Sequence, residues 1–219
     1  TTGLPKGVMR SHAANMAMAT ETLLALGIDP IGPNRFLYSL PITSAAFYGL
    51  AIAAFFHGGS IIMQKVFEAR DVVPLLTQEK ITFMTLIPTM WDMLLEAEPD
   101  FTKYDLSHLK WAFWGGMPIS EWTVQETLRR GFPVPIMGVY GLSECTCCVY
   151  QPNPQTAVRK PKNTGRPTPS TEVRIVDPNM NDVKTGEMGE LLIRSPINMS
   201  GYFANPEKTK ETIVDGWIK

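Results

Sequence analysis

The sequence predicts an α/β architecture: a parallel sheet flanked by helices on both faces, followed by the start of a small β-rich subdomain. Three observations carry this reading. Between Ser60 and Val139, short apolar runs alternate with stretches of about ten residues that have helical patterning. Loops marked by Gly or Pro follow those runs, as at Gly115-Gly116-Met117-Pro118 and Tyr140-Gly141-Leu142. Beyond residue 166 the pattern turns to strand-like alternation with turn residues between.

Taken in order, Ser11 is placed to cap a helix over His12 to Leu26, with Gly27 as its stop. His12, at a helix start beside a polar loop, reads as a surface or capping residue rather than a proton-transfer group. Arg35 to Leu40 reads as a strand ending at Pro41. Ser44 then caps a nearly all-apolar helix, Ala45 to Phe56, which stops at Gly58-Gly59; a helix apolar all round must be buried. Strands Ser60 to Gln64, Ile81 to Ile87, Leu109 to Trp114 and Val134 to Val139 alternate with helices Ala69 to Glu79, Pro88 to Glu98 and Ile119 to Arg130. Pro74 predicts a kink or a later start in the first of these helices. From Gln151 to Gly165 the composition shifts to Pro, Asn, Lys and Thr, a linker or excursion. Thr171 to Asp177 and Glu190 to Ser195 alternate as strands, with Asp177-Pro178-Asn179 as a turn. The expected division is residues 1–150, an α/β part; residues 151–165, a linker; and residues 166–219, the β-rich part. Lys184 and the charged run Glu207 to Glu211 read as a solvated face.

Composition narrows the class. Hydrophobic residues at 44% and charged residues at 19% describe an ordinary globular chain with material for a core. A net charge of −1 argues against a nucleic-acid partner, which would require a basic surplus. The longest apolar stretch, Ala45 to Phe56, is too short for a membrane span. The three cysteines, Cys145, Cys147 and Cys148, lack the spacing and companions of a zinc site, so reduced thiols in a cytoplasmic protein are expected.

Two stretches carry chemistry. Tyr140-Gly141-Leu142-Ser143-Glu144 delivers a ring, a turn, a hydroxyl and a carboxylate to the end of a strand, Pro135 to Val139, where ligands bind in open α/β sheets. The ring can stack on a base, the hydroxyl can donate to phosphate and the carboxylate can hold a hard cation; Gly141 is free to take the positive φ of a sharp turn. Thr1-Thr2-Gly3-Leu4-Pro5-Lys6-Gly7-Val8 is a hydroxyl-rich, glycine-punctuated loop with one lysine, suited to cradling a polyphosphate. It is not a Walker loop, because the lysine precedes Gly7 and no Ser or Thr follows it in the P-loop position.

Together these stretches resemble the adenylate-forming superfamily of acyl-CoA synthetases, aryl-CoA ligases, luciferases and peptide-synthetase adenylation domains. Thr1 to Val8 is similar to the family's phosphate loop and Tyr140 to Glu144 to its Tyr-Gly-x-Thr/Ser-Glu motif. Gly186-Glu187-Met188-Gly189-Glu190-Leu191 with Gly201-Tyr202 is similar to its third motif, and Asp215-Gly216-Trp217 to the lead-in of a fourth. The resemblance implies ATP, Mg²⁺ and coenzyme A as reactants and a small carboxylic acid as substrate. It places Thr1, Thr2, Gly3 and Lys6 on phosphate oxygens, Gly115, Gly116, Met117 and Pro118 against adenine, and Tyr140 stacked on the same base. Gly141, Leu142 and Ser143 complete the nucleotide contacts. Glu144 holds the metal with help from Ser143 or a loop threonine, and Lys6, Ser143 and Glu144 form the catalytic set. Ser44, Tyr48, Gly115 and Cys145 are expected to line the acid pocket, with Ser44 standing where many relatives have histidine. Because the chain opens inside one motif and closes before another, a fragment lacking a C-terminal domain, inactive alone, is expected. Two other readings remain: an adenylation domain that loads a carrier protein, and a nucleotide-binding module without chemistry.

Overall fold

The computed structural model describes residues 5–26, 32–151 and 153–219. Strand β1 (Val8–Met9) leads into helix α1 (His12–Leu26), where the Ser11 hydroxyl accepts the Ala14 N–H at 3.0 Å, the cap expected from the sequence. The predicted stop, Gly27, lies outside the described residues. Strand β2 (Arg35–Tyr38) is followed by a π-helical stretch, Phe47–Ala51, that runs into α2 (Ile52–Phe56). The series β3 (Ser60–Met63), α3 (Ala69–Gln78), β4 (Phe83–Leu86), α4 (Pro88–Ala97), β5 (Trp111–Gly115), α5 (Glu121–Arg129) and β6 (Ile136–Tyr140) reproduces the predicted alternation. Then come β7 (Val149–Tyr150), α6 (Pro154–Arg159), β8 (Arg166–Pro167), β9 (Glu172–Val176), β10 (Glu190–Arg194), β11 (Gly201–Tyr202), α7 (Pro206–Thr212), β12 (Ile213–Val214) and β13 (Trp217–Ile218).

Seven strands form one sheet in the order β3-β2-β4-β5-β6-β7-β8. The pairs from β3 through β6 are parallel, and β7 and β8 add antiparallel. Alternate side chains feed two cores. On one face Leu37, Met84, Leu86, Ala112 and Ile136 meet Val72, Leu76, Trp91, Leu94 and Val124 of α3 to α5. On the other, Phe36, Tyr38, Phe83, Phe113 and Met137 meet Leu26, Leu50, Ala51 and Ala157. Near-continuous apolar runs are what a parallel strand buried on both faces requires. A four-stranded antiparallel sheet, β12-β13-β10-β9, supplies the small β-rich part. The short pair β1-β11 joins the first loop to it.

Two expectations are revised. The segment from Ala45 to Phe56 is neither uniformly α-helical nor buried all round: it passes through the π stretch, and Tyr48, Phe55 and Phe56 are exposed. One side of a helix lying on a sheet is enough to bury Leu50, Ala51 and Ala53, and the remaining apolar side faces outward. Helix α3 starts at Ala69 with Pro74 in its interior on the exposed side, where water can satisfy the carbonyl left without a donor. Residues 151–165 form an excursion: the chain leaves the large sheet after β7 and rejoins it as β8.

That excursion is pinned by one buried amide. Gln151 accepts the Gly138 N–H through Oε1 and donates Nε2 to the Asn163 carbonyl at 2.7 Å. Replacing it by leucine leaves both partners without it in a dry setting. Gln151→Leu is expected to lower the free energy of unfolding by about 1–3 kcal/mol, read from urea denaturation.

Candidate functional site

The parallel strands deliver their C-terminal ends to one edge, and three hollows lie along it. The first, about 440 Å³, is lined by Gly116, Met117 and Pro118 after β5, by Tyr140, Gly141 and Leu142 after β6, and by Trp114, Lys162 and Thr164. The second, about 360 Å³, holds Lys6, Arg10, Thr43, Tyr48, Ser143 and Thr146. The third, about 310 Å³ and largely apolar, is lined by Ser44, Thr85, Ile87, Gly115, Cys147 and their neighbours. Gly116, Val139 and Gly141 border both the first and the third. Ala45 and Thr146 border both the second and the third. The hollows thus meet around the turn that begins at Gly141.

That turn depends on a close approach. A Cβ on Gly141 would stand 2.2 Å from the Cys147 backbone nitrogen, so any side chain there would force the turn open. Gly141 therefore serves by its missing side chain and not by a positive φ; the left-handed conformation belongs to Gly116, at φ +81°. Arg10, from the segment after β1, ties the turn to the first loop. Its guanidinium donates to Thr146 Oγ1 at 3.0 Å, to the Ser143 carbonyl at 3.4 Å and to Asn15 Oδ1 at 3.0 Å.

Lys6 and Glu144 converge on the two sides of Tyr202. The Lys6 ammonium lies 5.0 Å from the Tyr202 ring centroid, and the Tyr202 hydroxyl donates to Glu144 Oε1. Pairing of Val8 with Tyr202 fixes the ring, and the Met199 N–H donates to the Glu144 carbonyl at 2.7 Å. Burial, together with the bond to Glu144, pushes the Tyr202 phenol up to about 12, so it stays a neutral donor through the physiological range. Burial likewise raises the Tyr140 phenol and pushes the Cys147 thiol up to about 12.

A family profile of AMP-binding enzymes matches residues 1–203. The chain belongs to the AMP-binding enzyme family. Similar relatives include a medium/long-chain-fatty-acid–CoA ligase of Mycobacterium tuberculosis, 33% identical over all of this chain and 38% of that protein. An indoleacetate–CoA ligase of Aromatoleum aromaticum is 31% identical over all of this chain and 42% of its own length. Among solved structures, the o-succinylbenzoate coenzyme A synthetase of Bacillus subtilis in complex with ATP and magnesium ion superposes with a TM-score of 0.88 at 25% identity, covering 100% of this chain and 44% of that one. The chain spans about two-fifths of the length of the curated relatives it matches.

Set against this AMP-binding frame, the structure gathers Gly116, Met117, Pro118, Tyr140, Gly141 and Leu142 around one hollow and Lys6, Ser143 and Tyr48 around another. Ser44 and Gly115 share the third. Two placements differ from expectation. Tyr48 lines the Lys6 hollow rather than the apolar one. Cys145 points into a separate core with Met18, Cys148, Ile193 and Ile197, and Cys147 takes its place on the apolar hollow, because the turn after Glu144 reverses which thiol faces the sheet edge. Thr1, Thr2 and Gly3 lie outside the described residues. His12 is exposed at the start of α1. Sequence reasoning missed Arg10, Lys162 and Thr164, which no local pattern marks, and the role of Tyr202, whose Gly-Tyr motif was the available signal.

Two outcomes follow from this geometry. Arg10→Met is expected to raise amide hydrogen exchange across residues 143–146 and to lower stability by about 1–3 kcal/mol, with Arg10→Lys restoring only part because one ammonium cannot replace a planar fork. The raised Tyr202 pKa favours the neutral phenol in the folded state, so its contribution is full below the ordinary value of 10.0 and is lost as pH climbs toward about 12. The stability difference between the native chain and Tyr202→Phe should therefore be constant up to about pH 10 and narrow above it, as followed by urea denaturation across a pH series.

Proposed function

We propose that this chain carries the nucleotide- and acid-binding part of an ATP-dependent acyl-CoA synthetase, which joins a carboxylic acid to AMP and passes the acyl group to the thiol of coenzyme A. The observation that supports it most is that three hollows adjoin along the turn from Gly141 to Thr146: one with a flat, ring-walled lining meets an apolar one at Gly141, and one with a lysine meets the apolar one at Thr146. A nucleotide, a polyphosphate and an acyl group are three parts of one reacting assembly, and a shared border is where their bonds would change.

In this reading Tyr140 stacks on the base while the Gly116 backbone lies against it, and Lys162 and Thr164 close the outer side of that hollow. Lys6 supplies a point charge to the phosphate oxygens and Ser143 a hydroxyl donor, both in the second hollow. The acid lies in the apolar hollow with its carboxylate at Gly141. One carboxylate oxygen bonds to the α-phosphorus as the bond to pyrophosphate breaks. The coenzyme A thiol, losing its proton, then bonds to the acyl carbon as AMP leaves. Residues act here by holding and by charge, as is general for phosphoryl and nucleotidyl transfer.

A metal ion suits the donor set in a specific way. Among the described residues no group of three or more His, Cys, Asp or Glu side chains is placed to hold a metal ion. Glu144 offers one carboxylate, with Oε1 engaged by Tyr202. Such a site fits magnesium, which binds through one or two carboxylates and takes its remaining ligands from water and phosphate. Glu144 and Ser143 would hold it, and it would neutralise phosphate charge.

Calorimetric titration of the chain with ATP tests the reading. With Mg²⁺ present, Glu144→Gln is expected to weaken binding by about tenfold or more, near 1.4 kcal/mol, and the affinity of the variant should no longer respond to removal of Mg²⁺. Equal affinities for the two proteins would overturn it.

A further inference from the structure

A fourth hollow, about 270 Å³, lies at the opposite ends of the same strands. Phe36, Phe83 and Trp111, at the beginnings of β2, β4 and β5, form its floor, and Ala53, Ala54 and His57 of the overlying helical segment form its roof. Leu50 belongs to its lining and also to that of the apolar hollow at Gly115. Register places both hollows on one face of the sheet. Phe36 pairs with Phe83 and Phe83 with Trp111; the next inward row is Tyr38, Thr85 and Phe113; and Gly115, paired with Val139, stands two residues further along β5. From Trp111 to Gly115 is four residues along one strand, a span of roughly 13 Å.

The far hollow also carries a group that needs a partner. His57 Nε2 is buried with no hydrogen-bond partner. An alkyl terminus would leave that nitrogen unsatisfied, whereas a hydroxyl satisfies it in either tautomer, because it can donate or accept. Arg35, at the same rim, is already engaged by Glu79.

Resting on the reading of the preceding subsection, we propose that the two hollows are one acyl channel beneath the π stretch and α2, partitioned by the Leu50 side chain. Its occupant is a straight-chain acid of about ten carbons with a hydroxyl at its far end, the length set by the strand span. The carboxylate sits at Gly141, the chain passes Leu50 over Thr85 and Phe113, and the terminal oxygen meets His57.

Calorimetry with decanoate, 10-hydroxydecanoate and hexanoate tests this on the 219-residue chain. The hydroxy acid is expected to bind about fivefold or more tightly than decanoate, the size of one net hydrogen bond. His57→Phe should bring the two acids level. Leu50→Trp should weaken decanoate about tenfold while changing hexanoate less than about twofold, since only the longer chain must pass that position. Equal binding of the two ten-carbon acids by the native chain, or a Leu50→Trp variant that treats decanoate as the native chain does, would overturn the proposal. Where a variant loses its fold by circular dichroism, the native chain decides: 10-bromodecanoate should quench Trp111 fluorescence more than 2-bromodecanoate, and equal quenching counts against the channel. Failure of the nucleotide reading has a separate signature, loss of magnesium-dependent ATP binding in the native chain with the chain-length series unchanged.

Discussion

A single tyrosine ring binds distant parts of this chain into one site. Tyr202 carries the Lys6 ammonium over its face and gives its hydroxyl hydrogen to Glu144, so residues from the first loop, the strand-end motif and the small β-rich part share one contact. Each element of that contact alone would be unfavourable. A carboxylate taken partly out of water requires donors, and a phenol in the same position requires an acceptor. Placed together they answer each other. The raised phenol pKa records the same balance from the tyrosine side: burial disfavours the phenolate, and losing the proton would also lose the hydrogen bond to Glu144.

The parallel sheet makes this arrangement available. Five parallel strands have their C-terminal ends on one edge, and the helices that return the chain leave that edge to loops. The two faces need different things. The face covered by α3, α4 and α5 is closed along its length by Trp91, Leu94 and Phe101 and reaches the hollows only at the sheet edge, through Leu86, Trp114 and Ile119. The face beneath the π stretch and α2 is looser: an irregular helix with Gly49 at its centre rests on a row of aromatic side chains, and space remains at both ends. A π bulge is costly in isolation and is found where a helix must fit something other than its own period. Here it fits the Cys147 side of the motif turn.

How much of this was legible in the sequence can be judged element by element. The helix–strand alternation from Ser60 to Tyr140 was readable because each strand is apolar on both sides and each helix is bounded by a local signal, such as Pro88 at the start of α4 or Ser120 at the cap of α5. That Lys6, Tyr140 and Ser143 would lie on hollows at one sheet edge was readable because short spacing ties them to a strand end and a glycine-rich loop. The π stretch was not, since periodicity cannot tell an all-apolar helix that touches a sheet on one side from one that is enclosed. Arg10 was not, because an arginine in a loop has no pattern of its own; its value comes from Thr146 and Ser143, more than 130 residues away. Nor were Lys162 and Thr164, which reach the first hollow only because Gln151 holds the excursion against β6.

The cysteines show how tightly these constraints interlock. A Cβ on Gly49 would lie 2.6 Å from Cys147 Sγ, and one on Gly141 would lie 2.2 Å from the Cys147 backbone. Cys147 itself takes φ 50°, an unfavourable conformation for a residue with a side chain. Three compact groups therefore occupy the point where the π stretch, the motif turn and the apolar hollow meet, and enlarging any of them would separate the other two. The neighbouring thiols settle into the opposite core, where Cys148 donates to Cys145 at 3.9 Å; that contact, with burial beside it, pushes the Cys148 thiol up. Small, polarisable side chains pack there as apolar groups do. The segment after Glu144 thus acts by its shape: it lets a strained turn sit against a helix without a gap, and the position of Gly141 at the border of the first and third hollows depends on that fit.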